Sequence, residues 1–134
     1  MHASAEIITL QPGAEGKDAD IADTYVADYN FGTSEFMVVN WAGSEDKFGL
    51  IEFDLTPYAG RTVLAASLRL YAVYNTWGGQ QYAVSQNLSA WDEQTITYNS
   101  KPAHAAAMID TLLTVNDQHW YSFNVTSAIS GWLA

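Results

Sequence analysis

With 134 residues, 49% of them hydrophobic and 15% charged, the chain is long enough and apolar enough to bury a core, which excludes an intrinsically disordered segment. Five basic residues against fifteen acidic ones leave a formal charge of −10, which argues against nucleic acid and anionic membranes as partners, because both are held by clustered Lys and Arg. There is no cysteine, so a disulfide framework and a thiolate metal site are both excluded, and no apolar run is long enough to cross a bilayer as a helix.

The chain reads as one domain over residues 1–134, with Met1 to Ser4 as a cloning remnant. No basic start or apolar middle of a signal peptide is visible there, so the chain is expected to be a module of a longer protein whose signal lies upstream. In chain order, strand-like runs are expected at 6–10, 24–27, 35–40, 48–55, 62–74, 81–88, 94–98, 107–114 and 119–125. Turn formers separate them, among them Pro12-Gly13, Asn30-Phe31-Gly32, Pro57 to Gly60 and Gly78-Gly79. A short helix capped by Thr126 is expected to close the chain, through Leu133. Many short strands at this spacing predict an all-β, antiparallel β-sandwich.

Alternation assigns faces. In 67–73, Leu68, Leu70 and Ala72 fall on one side and Arg69, Tyr71 and Val73 on the other. In 119–125, Tyr121, Phe123 and Val125 form an inward set that turns Trp120 and Ser122 outward. An outward Arg69, Tyr71 and Trp120 would give one sheet an aromatic, polar surface suited to sugars, whose C–H faces stack on rings.

Eleven of the fifteen acidic residues lie in the first 54 positions. Oxygen-bearing side chains alternating around glycines suit a hard cation, and Asp18, Asp23, Asp28 and Asn30 are the candidate ligands of a structural calcium. No EF-hand pattern is present, and a solvated acidic surface is the competing reading.

Among the five tryptophans, Trp77 lies in a loop without aliphatic neighbours, so a ligand or another part of the chain must cover it. It is the first candidate for stacking on a sugar, and Trp41, Tyr71 and Trp120 follow. Trp91 and Trp132 are read as structural. His2, His104 and His119 have no zinc spacing, and neither a nucleophile elbow nor a phosphate loop is present. Glu52 and Asp54 would share a strand face about 7 Å apart, a spacing open to a lyase or hydrolase pair, but bonding to neighbouring strands or to a metal is the preferred role.

Six segments, in order, resemble one family. They are Leu10-Gln11-Pro12-Gly13 with Asp18, then Asn30-Phe31-Gly32, then Ile51-Glu52-Phe53-Asp54-Leu55, then Ala66-Ser67-Leu68-Arg69-Leu70-Tyr71. Trp91-Asp92-Glu93 through Pro102 comes next, with Tyr98 where the family signature has Trp, and Phe123-Asn124-Val125-Thr126 with Trp132 closes the series, with Asn124 for Asp. Together they resemble the DNRLRE-type β-sandwich domains, which include carbohydrate-binding module family 96. The resemblance implies a jelly-roll-like sandwich, secretion or cell-surface display, a polysaccharide partner, and covalent linkage to catalytic or surface domains. Some members resemble alginate binders, but five basic residues and a charge of −10 favour a neutral or weakly charged glycan here. The expected function is a non-catalytic polysaccharide-binding module that targets an attached secreted enzyme. The alternative is a calcium-stabilised structural or adhesion module of a cell-surface protein.

Overall fold

The computed structural model describes residues 4–42, 45–74, 78–116 and 118–134. These form seven strands, all paired antiparallel, and one short α-helix, so the all-β class follows as the alternation indicated. The strands are β1 (Gly16–Ala22), β2 (Asn40–Ala42), β3 (Glu45–Phe53), β4 (Ser67–Ala72), β5 (Gln81–Asn87), β6 (His104–Leu113) and β7 (His119–Asn124), and the helix is α1 (Thr126–Leu133). The chain divides into two compact units, one of Met1–Asp54 with Trp91–Lys101, the other of Leu55–Ala90 with Pro102–Ala134.

The first unit is built on a sheet of order β1-β3-β2. Residues 16–22, outside the expected strands, form a strand in which Lys17, Ala19 and Ile21 alternate with Asp18, Asp20 and Ala22. Ala19 and Ile21 face Leu50 and Phe48 across the ladder, and side chains paired in this way share a face. On that face Ala19, Ile21 and Leu50 are buried together with Trp91 and Ile96, and Tyr98 packs against the cluster. Trp91 is thus a core residue, as its sequence context suggested. Asp18, Asp20 and Ala22 lie on the other face, opposite Ile51, Gly49 and Lys47. Gly49 has no side chain because Met37 occupies that space, and a Cβ there would overlap its thioether. Both faces of β1 are therefore covered, which accounts for the burial of all four residues from Ala19 to Ala22.

In the second unit β4 pairs with β7, and β5 with β6, with register irregularities around Ser85. Asp110 of β6 ties the start of the last segment in place, its Oδ2 accepting from the Asn124 N–H at 2.7 Å. Phe123, Val125 and Leu133 are buried, and Leu68, Leu70 and Tyr121 half-buried, on the inward side that alternation assigned. The Tyr121 hydroxyl accepts from Val115 N–H and donates to Val115 O, at 2.9 and 3.2 Å, pinning the turn that precedes β7.

The closing helix forms over the expected residues, but Thr126 is not its cap. The Thr126 hydroxyl instead accepts from Ala66 N–H at 3.0 Å and donates to Ala66 O, while Asn124 Oδ1 accepts from Thr126 N–H at 3.1 Å. Leu133 is the buried residue of α1, whereas Trp132 is half exposed. Four expected strands do not form as drawn. Residues 6–10 are irregular, Thr24–Val26 is a 3-10 turn, most of 35–40 is irregular before β2, and 94–98 is a series of turns.

Candidate functional site

The outer face of the β4–β7 ladder gathers three residues singled out from the sequence. Cross-strand pairing sets Arg69 opposite Ser122, Tyr71 opposite Trp120, and Ser67 opposite Asn124, so these six share one face. All six are exposed, Tyr71 at 46% and Trp120 at 55%. The Tyr71 and Trp120 rings stand 5.2 Å apart at an interplanar angle of 54°. The Arg69 guanidinium lies 4.8 Å from the Trp120 ring centroid, over its face. Such a contact holds both side chains with about 0.5–1 kcal/mol at an exposed site. The result is a patch of two ordered aromatic rings, one fixed cation, and hydroxyl and amide groups along one edge.

Charge is divided unevenly between the units. The first holds thirteen of the fifteen acidic residues and three of the five basic ones, so the whole formal charge of −10 resides there. The second has two of each sign and is balanced. The aromatic face thus sits on an electrically neutral unit, with Arg69 as the only charge among its six residues.

The other candidates are placed differently. Trp77 lies outside the described residues. Trp41 is the middle residue of β2, opposite Asp46. Of the four calcium candidates, Asn30 is fully engaged: its Nδ2 donates to Glu93 O and Ile96 O at 2.8 and 2.7 Å, and its Oδ1 accepts from Gly32 N–H. Asp28 Oδ1 accepts from the Asn99 amide at 2.6 Å, and Asp23 Oδ1 from Asp46 N–H at 2.9 Å. Among the described residues, no three His, Asp or Glu side chains stand close enough to hold one ion.

Asp18 does lie beside a second acid that sequence reasoning passed over. Asp20 is only 6% exposed, and both line a small, partly open cavity of about 30 Å³ with Phe31, Ser34, Glu35, Phe36 and Met37. Burial raises the Asp20 carboxyl above its ordinary value, against the partial opposition of backbone hydrogen bonds and Lys47. Burial also raises Asp18, with the nearby Glu93 charge adding to it. The signal was present in the sequence, since a period of two through Lys17 to Ala22 places Asp20 next to Asp18 on one face.

Glu93 is the other residue without an assigned role. Its Oε1 accepts from Asp18 N–H at 3.0 Å along the free edge of β1, and its carbonyl takes the Asn30 amide. The Trp-Asp-Glu and Asn-Phe-Gly segments are therefore two halves of one clasp.

The family model of carbohydrate-binding module family 96 matches residues 15–134, which is most of the chain and spans both units. The chain belongs to carbohydrate-binding module family 96. No curated protein matches it. For a member of this family the exposed, pre-paired rings on β4 and β7 are the natural candidate for sugar contact, since aromatic stacking is the main apolar means of holding a pyranose.

Glu52, half of the rival catalytic pair, is ion-paired. Lys17 Nζ reaches its Oε1 at 3.2 Å, donates to Trp91 O at 2.5 Å and lies 4.6 Å from the Trp91 ring centroid. Glu52 is 51% exposed, so Glu52→Gln is expected to cost under about 1 kcal/mol. Lys17→Met leaves the Trp91 carbonyl without its donor and is expected to cost about 1–3 kcal/mol. Urea midpoints of the two variants check the order; equal losses would assign the Lys17 contribution to the ion pair instead.

Proposed function

We propose that this family 96 member is a non-catalytic module that binds a neutral or weakly charged polysaccharide on the outer face of the β4–β7 ladder. In the parent protein it brings an attached secreted enzyme to that polysaccharide. The observation that carries the reading is the exposed Arg69–Trp120–Tyr71 array on a unit with no net charge. Rings already ordered against each other lose little freedom when a sugar stacks on them, which lowers the cost of binding. Tethering to an enzyme then makes modest affinity sufficient, because the linked partner experiences a raised local substrate concentration.

Affinity electrophoresis against a panel of neutral and acidic polysaccharides tests this. Retardation is expected with at least one neutral or weakly charged glycan, and the same incubation is expected to release no new chain ends. Absence of retardation across the panel would favour the structural or adhesion module, and released ends would make the protein an enzyme.

A further inference from the structure

The Asp18–Asp20 cavity belongs to the first unit and asks for a ligand different from that of the aromatic face. Asp20 belongs to β1 and is paired across the sheet with Gly49, whose missing side chain lets Met37 close over the strand. Its Oδ2 accepts one long hydrogen bond, 3.4 Å from Val38 N–H. Its Oδ1 is fully buried and has no hydrogen-bond donor among the described residues. A buried carboxylate oxygen without a donor is costly, because desolvation is not repaid by a bond. The neighbouring Asp18 on the same face adds like charge, and Glu35 lines the same cavity. Lys47, on this face beyond Gly49, supplies the one basic charge acting on Asp20 and offsets part of the repulsion.

A hydrophobic protein interior would be expected to place Asn, Ser or Ala at such a position. Two carboxylates beside one cavity, one of them with a buried oxygen that lacks a donor, are instead what a hard, oxygen-seeking cation can use. We propose that the first unit binds a single calcium-class divalent cation in this cavity, with the Asp18 and Asp20 carboxylates as its charged ligands. Two carboxylates neutralise the ion's charge. Calcium takes about six to eight oxygens in flexible geometry, so main-chain carbonyls of the covering segment and water complete the set. Magnesium is the poorer occupant, because it demands a strict octahedron and gives up water reluctantly. The bound ion would tie β1 to the segment 34–38 that covers it and so order the acidic face of this unit. The inference is independent of the glycan face, which lies in the other unit.

The test is thermal unfolding of the full chain, first stripped with chelator and dialysed, then titrated with calcium or with magnesium at matched ionic strength. Calcium at about a hundred times its dissociation constant is expected to raise Tm by about 10 °C, and magnesium by much less. Asp20→Asn, which keeps the shape and removes the charge, is expected to lose the calcium shift while melting no lower than the parent in chelator. Asp28→Asn is expected to keep the full shift, since Asp28 is committed to Asn99. Calorimetric titration of the unsubstituted chain is expected to give one calcium per chain, a readout that does not depend on any variant folding. No calcium-specific rise in the parent, or an undiminished rise in Asp20→Asn, overturns the site and leaves Asp20 as a buried carboxyl without a bound ion.

Discussion

Replacing Trp120 with alanine is expected to reduce retardation by the bound polysaccharide by about ten- to a hundred-fold in apparent affinity while the protein stays folded. The magnitude follows from the position of the ring rather than from its area alone. Truncation at an aromatic anchor commonly costs about 2 kcal/mol or more when the ring is the centre of the contact. Trp120 is that centre here: Tyr71 meets it from one side at 5.2 Å and Arg69 covers it at 4.8 Å. Its removal therefore also releases the two neighbours it orders. Tyr71→Ala is expected to lose less, and Arg69→Ala less again, because a partly hydrated cation gives up little on leaving a sugar hydroxyl. The Tyr71→Ala and Trp120→Ala effects should combine to less than their sum, since the two rings are in contact. Stability should fall by under about 1 kcal/mol, because exposed side chains away from caps and buried networks contribute little. A folded Trp120→Ala protein that is retarded as strongly as the parent would remove this face from the site.

This face is legible in the sequence because β4 and β7 alternate without interruption. Once Leu68, Leu70, Tyr121 and Phe123 are taken as inward, Arg69, Tyr71 and Trp120 have nowhere to go but out. What could not be read was the pairing of Tyr71 with Trp120, since register depends on the turn between strands distant in sequence. The acidic third misled for a chemical reason. An oxygen-rich stretch such as Lys17-Asp18-Ala19-Asp20 has the composition of a cation loop but the period of two of a strand. Yet Ala19 and Ile21 supply enough apolar surface for a strand when the opposite face is closed by Met37 and its neighbours.

The run Thr95-Ile96-Thr97-Tyr98 failed in the opposite sense. Its residues favour strands, but strand propensity mostly reports fit to a pleated neighbour, and here the backbone groups are taken locally. Asp92 O accepts from Ile96 N–H at 2.9 Å, Asp92 Oδ1 accepts from Gln94 N–H at 2.8 Å, and Asn30 takes the Ile96 carbonyl. Asn30 reads as a candidate ligand because an amide's oxygen is as visible in a sequence as its nitrogen; in the fold its nitrogen donates to two carbonyls and its oxygen accepts from Gly32 N–H. Only the fold shows that both ends are spent.

That double engagement makes the Asn30–Glu93 clasp the most fragile element of the first unit. Asn30→Ala is expected to lower stability by about 2–3 kcal/mol, because the Glu93 and Ile96 carbonyls lose their donor and partly buried acceptors regain little water. Gly32→Ala attacks the same junction from the other side. A Cβ at Gly32 would overlap the Glu93 carbonyl group, which is backbone and cannot swing away as a side chain could. The segment must then lift, breaking the Asn30 contacts and the Glu93 bond to Asp18 N–H together. Gly32→Ala is accordingly expected to cost at least as much as Asn30→Ala, about 3 kcal/mol or more, which is large for the addition of one methyl group. The double variant should be little worse than either alone, since each destroys one shared arrangement. Urea unfolding of the single and double variants measures this directly. A Gly32→Ala protein with an unchanged midpoint would mean that the 91–98 segment does not rest on the Asn-Phe-Gly turn as tightly as the clasp requires. A loss confined to the first unit, with glycan retardation kept by the folded protein, would place sugar recognition and this structural junction in different halves of the chain.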